Sequence, residues 1–96
     1  MKYRIDVKRK DINNGKCGDP SFCAVALAFE RRFGKRKGYS GVEVSEHSVE
    51  LWLDPDNVTT VPLPKKTTNF IFDFDDNGKQ IEARKKMKPF SFTVNV

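Results

Sequence analysis

The chain has 96 residues and a mass of 11.0 kDa, which suits one domain around one core. Eighteen Lys and Arg stand against thirteen Asp and Glu, for a net charge of +5. That balance excludes an acidic mimic of nucleic acid and permits an anionic partner.

Residues 1–6 lack the apolar core of a signal peptide, and the longest apolar run, residues 23–29, is far too short to span a bilayer. The sequence therefore predicts a soluble, unexported protein with no membrane partner. Its two cysteines, Cys17 and Cys23, are expected as free thiols in a reducing compartment.

Tyr3-Arg4-Ile5-Asp6-Val7 alternates apolar and polar residues and reads as a first strand. Residues 8–18 are polar and carry the turn signal Asn13-Asn14-Gly15, with Asp11-Ile12 opening at most one helical turn. Asp19-Pro20 then marks a helix start: the carboxylate can cap free N–H groups, and proline loses nothing there. Phe22, Val25, Ala26, Phe29 and Phe33 recur at helical spacing, and Gly34 supplies a stop, so a helix is predicted over residues 20–33. Arg31 and Arg32 suit the negative end of its dipole.

Residues 42–45 and 49–53 both alternate across the short link Glu46-His47-Ser48, which predicts a hairpin. Asp54-Pro55-Asp56-Asn57 is a turn. Residues 58–63 are extended, with Pro62 and Pro64 barring a central strand. Residues 64–77 fit both periods. Phe70, Phe72 and Phe74 alternate as a strand would, while Pro64 at a first helical position and Asn77-Gly78 at an end favour a helix. Residues 81–88 read as a basic connection, and residues 90–96 alternate cleanly as the last strand. The expected fold is a single α+β domain over residues 1–96, in the order β-α-β-β-α-β. Two helices would cover one face of a mostly antiparallel sheet of about four strands, an order shared with ferredoxin-like folds.

Several motifs fall short of a chemistry. Asp73-Phe74-Asp75-Asp76-Asn77-Gly78 opens like a calcium loop, but Arg84 stands where the bidentate glutamate belongs. His47 is the sole histidine and has no evident partner for general-base or metal work. Cys23 near a helix start could have a lowered pKa, but small buried filler is the better reading. No phosphate loop or dinucleotide fingerprint occurs. No catalytic residue, metal site or cofactor is predicted, and the chain reads as a non-enzyme.

The basic clusters carry the most information. Arg31, Arg32, Lys35, Arg36 and Lys37 crowd beside the stretch Gly38-Tyr39-Ser40-Gly41. Such cations on an adaptable backbone suit phosphate groups, and Tyr39 could stack on a base. The bland alternative is a solvated face. Lys8-Arg9-Lys10 and Arg84-Lys85-Lys86 with Lys88 form two further clusters. The candidate ligand-binding set is Arg31, Arg32, Lys35, Arg36, Lys37 and Tyr39, with a nucleic acid or nucleotide as partner. A protein-partner module using Leu51, Trp52 or the last strand is the alternative.

Asp11-Ile12-x-x-Gly15, Cys23-Ala24-Val25-Ala26-Leu27-Ala28, Leu63-Pro64, Asp75-x-x-Gly78 and Pro89-Phe90-Ser91-Phe92 occur in an order that resembles small proteins encoded by bacteriophages and prophages. The resemblance runs from about residue 3 to residue 94. The Phe-rich residues 69–74 and the basic residues 31–37 depart from it. It implies a helix over residues 64–76, a phage origin, a host-cytoplasmic location and no transferable catalytic residues. By analogy with its class it implies an accessory role: binding a host protein, a nucleic acid, or a nucleotide signal of host defence.

Overall fold

The computed structural model describes all residues, 1–96. The fold is α+β. Its elements are β1 (Lys2–Val7), α1 (Arg9–Asn14), α2 (Ala24–Phe33), β2 (Gly41–Val44), β3 (Ser48–Asp54), β4 (Asn57–Pro62), α3 (Lys65–Asn77), α4 (Ile81–Lys86) and β5 (Phe90–Asn95).

The expected order survives as a skeleton, with one more strand and two short helices added. The strands form two antiparallel sheets where one was expected. β1 pairs with β5, and β2, β3 and β4 form a separate meander. Residues 58–63 fall largely within β4, an edge strand whose last residue, Pro62, has no N–H to extend a ladder. β4 and β5 touch without pairing.

Alternation decides the buried faces. Ile5 and Val7 of β1 and Phe92 and Val94 of β5 point inward, as do Val42, Val44, Val49, Leu51 and Val61 of the meander. α2 packs on both β1 and β2, so it joins the two sheets. Its buried stripe includes Ala24, Ala26 and Ala28, small enough for close approach, and Phe29 and Phe33 supply bulk. α1 packs against α2 so closely that a Cβ on Gly15 would lie 2.5 Å from the Ala24 nitrogen.

Seven rings form one continuous aromatic chain, Tyr3–Phe33–Phe29–Phe92–Phe90–Phe70–Phe74, with successive centroids 4.9–6.2 Å apart. It links β1, α2, β5 and α3. Each such contact adds about 0.5–1.5 kcal/mol beyond area burial.

α2 starts later than predicted. Asp19 Oδ1 does accept from the N–H groups of Ser21 and Phe22, at 3.0 and 3.1 Å, but these belong to a separate turn. The Pro20 carbonyl, which would accept from Ala24 in a continuous helix, instead accepts from Val44 N–H at 2.8 Å. Regular bonding begins with Leu27 N–H to the Cys23 carbonyl at 3.0 Å. Phe22 therefore lies outside the helix, 55% exposed, and not on its core face.

Residues 65–77 are helical, and their burial shows why. Thr67, Ile71 and Phe74 share the inner face, whereas Phe72 turns outward at 42% exposure and breaks the alternation a strand would need. Part of the predicted basic connection is the short helix α4. No helix is long and apolar enough to cross a membrane.

Candidate functional site

The loop after α2 holds the predicted cations. Gly34 N–H donates to the Glu30 carbonyl at 2.7 Å and ends the helix. Arg36 and Tyr39 N–H groups then bond back to Phe33 and Arg36 carbonyls at 2.9 and 3.1 Å, so the loop is a tight double turn. Gly38 sits at φ +91°, in the left-handed region, and packs against the Leu53 carbonyl of β3. Lys35, Arg36 and Lys37 are exposed, and none forms an ion pair. Arg32 is also exposed, its guanidinium 4.9 Å from the centre of the Tyr3 ring and 5.9 Å from that of Phe33.

Arg31 and Tyr39 leave the predicted set for a structural reason. Arg31 turns inward and donates to both oxygens of buried Asp11, at 2.7 and 2.6 Å, and to the Asp6 carbonyl at 2.7 Å. The Asp11 hydrogen bonds raise its pKa further and keep it charged. Tyr39 is half-buried, and its hydroxyl donates to Glu30. Burial first, and Glu30 second, push its phenol pKa up, so it stays a donor at neutral pH. A phenol held this way is not a free stacking platform.

The other basic clusters are also partly structural. Arg9 donates to the Arg84 and Met87 carbonyls. Arg84, at the position that would complete a calcium loop, donates to the carbonyls of Gly78, Ile12 and Asn13, and its guanidinium lies 5.0 Å from the Phe74 ring centre. It thereby ties the ends of α1 and α3 together. Arg84→Ala is expected to cost about 1–3 kcal/mol, because part-buried carbonyls lose their donor. Lysine should not restore it, since one ammonium cannot reproduce the planar fork. Urea denaturation of both variants measures this.

The remaining motifs resolve simply. Asp73 to Asn77 is helix, not a loop, with Asn77 Nδ2 donating to Asp73 Oδ1 at 2.8 Å. Asp54 caps the β3–β4 turn by accepting from Asp56 and Asn57 N–H groups at 3.0 and 3.1 Å. His47 is exposed in the β2–β3 turn, edge-on to Phe72 with centroids 6.3 Å apart. Both cysteines are free. Cys17 is half-buried with its thiol donating to the Phe74 carbonyl at 3.2 Å. Cys23 is buried. Desolvation raises its thiol pKa and outweighs the N–H groups of Ala26 and Val25, so it stays protonated filler.

Two grooves flank the start of α2, and no local signal announces either. The first, about 540 Å³, lies between the turn at residues 18–20, the β2–β3 turn and α3. Asp19, Glu46 and Asp75 stand among its lining residues, with Val25, Val44 and Ile71 as apolar wall. The second, about 620 Å³, is bounded by Phe22, Leu27 and Glu30 on one side and by Val42, Glu43 and Trp52 on the other. Leu51 is fully buried on the inner face of β3 and takes no part in any surface.

No protein-family model matches the chain, and no curated protein or solved structure is detectably similar to it.

Proposed function

We propose that this chain is a small, non-enzymatic binding protein that holds a phosphate-bearing ligand on the loop between α2 and β2. One observation supports the reading: Lys35, Arg36 and Lys37 stand side by side, exposed and without ion pairs, on a loop shaped by Gly38. The C-terminal end of α2 offsets about half an elementary charge, and Glu30 and Asp54 stand beside the loop, so the three cations together with Arg32 keep a net positive field for a phosphate. Arg32 at the last turn of α2 extends the patch. The ligand is a nucleic acid or a nucleotide, met in the cytoplasm of a phage-infected host if the resemblance to phage proteins holds.

The test replaces Lys35, Arg36 and Lys37 together by alanine. Arg31 is left alone because it holds the fold. Anisotropy with a labelled single-stranded oligonucleotide should show weaker binding. The slope of log K against log salt should become shallower by about 2, the share of three phosphate contacts. Competition by ATP separates a nucleotide ligand from a polymer. Unchanged oligonucleotide and ATP binding in the triple variant would overturn the reading.

A second reading is favoured by the groove that exposes Phe22 beside Trp52. Aromatic anchors of this kind dominate protein interfaces. A partner bound there would be lost on Trp52→Ala and would respond weakly to salt.

A further inference from the structure

The groove between α2, the β2–β3 turn and α3 has a chemistry opposite to that of the basic loop. Its volume of about 540 Å³ falls within the range of small-molecule sites, roughly 300–1,000 Å³. Its wall is apolar: Val25, Val44 and Ile71, with Cys23 held as a neutral thiol by burial. Phe74 also lines it, but Phe70 stacks on this ring and Arg84 lies against it, so the ring offers contact area and not an open face.

The carboxylates give the lining one sign of charge, beside His47 and the hydroxyls of Ser45 and Ser48. Asp19, Glu46 and Asp75 line the groove, and no lysine or arginine does, in a chain of net charge +5. Two of the carboxylates are held in place through one oxygen. Asp19 Oδ1 accepts from the Ser21 and Phe22 N–H groups, and Asp75 Oδ1 accepts from Gly18 N–H at 3.0 Å. Neither Oδ2 takes a protein donor, and Glu46 makes no hydrogen bond or ion pair through its side chain. No three acidic, histidine or cysteine side chains come close enough together to hold a metal ion. Carboxylates spread around an apolar cavity suit a cation with a body, and a bare ion would reach too few of them.

We infer that this groove binds a small organic cation, an amine, amidine or guanidine carried on a flat apolar body. The body fills the space between Val25, Val44 and Ile71, the charged head pairs with Glu46 and Asp75, and Asp19 adds to the negative field of the groove. Charge complementarity together with an apolar cavity of the right size carries the assignment. It is independent of the anion-binding loop, which lies beyond the other end of α2.

The probe is benzamidine, with benzamide as its neutral isostere, followed by amide chemical shifts and by calorimetry. Benzamidine should shift the amides of Gly18, Ser45 and Ile71. It should bind at least about tenfold more tightly than benzamide, the difference expected for one charge-assisted hydrogen bond. Glu46→Gln, which breaks no hydrogen bond or ion pair of the fold, and Asp75→Asn, which keeps its acceptor oxygen, should each weaken benzamidine by about two- to fivefold, the range of an ion pair at an exposed side chain. Neither should change oligonucleotide binding by the loop. Equal binding of benzamide, shifts confined to the Trp52 groove, affinity unaffected by Glu46→Gln, or no saturable binding at millimolar benzamidine would each overturn the inference.

Discussion

Arg31→Ala is expected to destabilise the fold by about 3–5 kcal/mol, the usual cost of leaving a buried charge, here the Asp11 carboxylate, without its partner. Asp11 is 2% exposed. Its carboxylate accepts two hydrogen bonds from Arg31 and one, at 2.8 Å, from the Lys8 N–H that opens α1. Truncating Asp11 instead leaves Arg31 with the Asp6 carbonyl and orphans the Lys8 N–H. Asp11→Ala should cost less, about 1–3 kcal/mol, because the Arg31 side chain it leaves alone is 30% exposed and can be hydrated. The double variant Asp11→Leu/Arg31→Leu should recover much of the loss, since the desolvation penalty disappears with both charges. Urea denaturation by circular dichroism compares the two single variants and the double variant with the wild-type chain. A loss below about 1 kcal/mol in both single variants would mean that the pair behaves like an exposed one. The same result bears on function. Anion binding lost in Arg31→Ala would report a loosened fold and not a lost phosphate contact.

Phe29→Ala comes next, at about 3–5 kcal/mol. Phe29 is fully buried within the aromatic chain, with centroids 6.2 Å from Phe33 and 5.9 Å from Phe92. α2 is the element that packs on both sheets, and Phe29 is its largest fully buried side chain, so a cavity there opens between them. Phe29→Leu should lose clearly less, because most of the volume is kept. Thermal or urea unfolding of the two variants gives the ranking, and equal losses would place the cost in ring geometry and not in volume.

The molecule separates charge along α2. Cations gather on the loop that follows its last turn, and the carboxylates of Asp19, Glu46 and Asp75 line the first groove beside its start. The net charge conceals this arrangement. A reading based on the total of +5 looks only for anions. The first groove presents the opposite chemistry, and its carboxylates come from segments distant in sequence: Asp19 from the turn before α2, Glu46 from the hairpin and Asp75 from α3.

Local chemistry was enough for several parts of this chain. Alternation marked the strands and their buried faces at Ile5, Val7, Phe92 and Val94, because pleating alone sets that period. Pro64 and Asn77-Gly78 bounded α3 despite the Phe70-Phe72-Phe74 alternation, because caps act within a turn of the residues they stop. Pro62 confined its strand to an edge through the N–H it lacks. Other features were decided only when distant segments met. Val44 N–H captured the Pro20 carbonyl and delayed α2. Asp11, twenty residues before Arg31, removed that arginine from the basic patch, and Glu30 tied down Tyr39. The division into two sheets and the groove carboxylates belong to the same group. Periodicity and capping depend on neighbours in sequence, so a single chain displays them. Ion pairs, strand partners and cavities depend on which segments come together in space, and tertiary packing alone sets that.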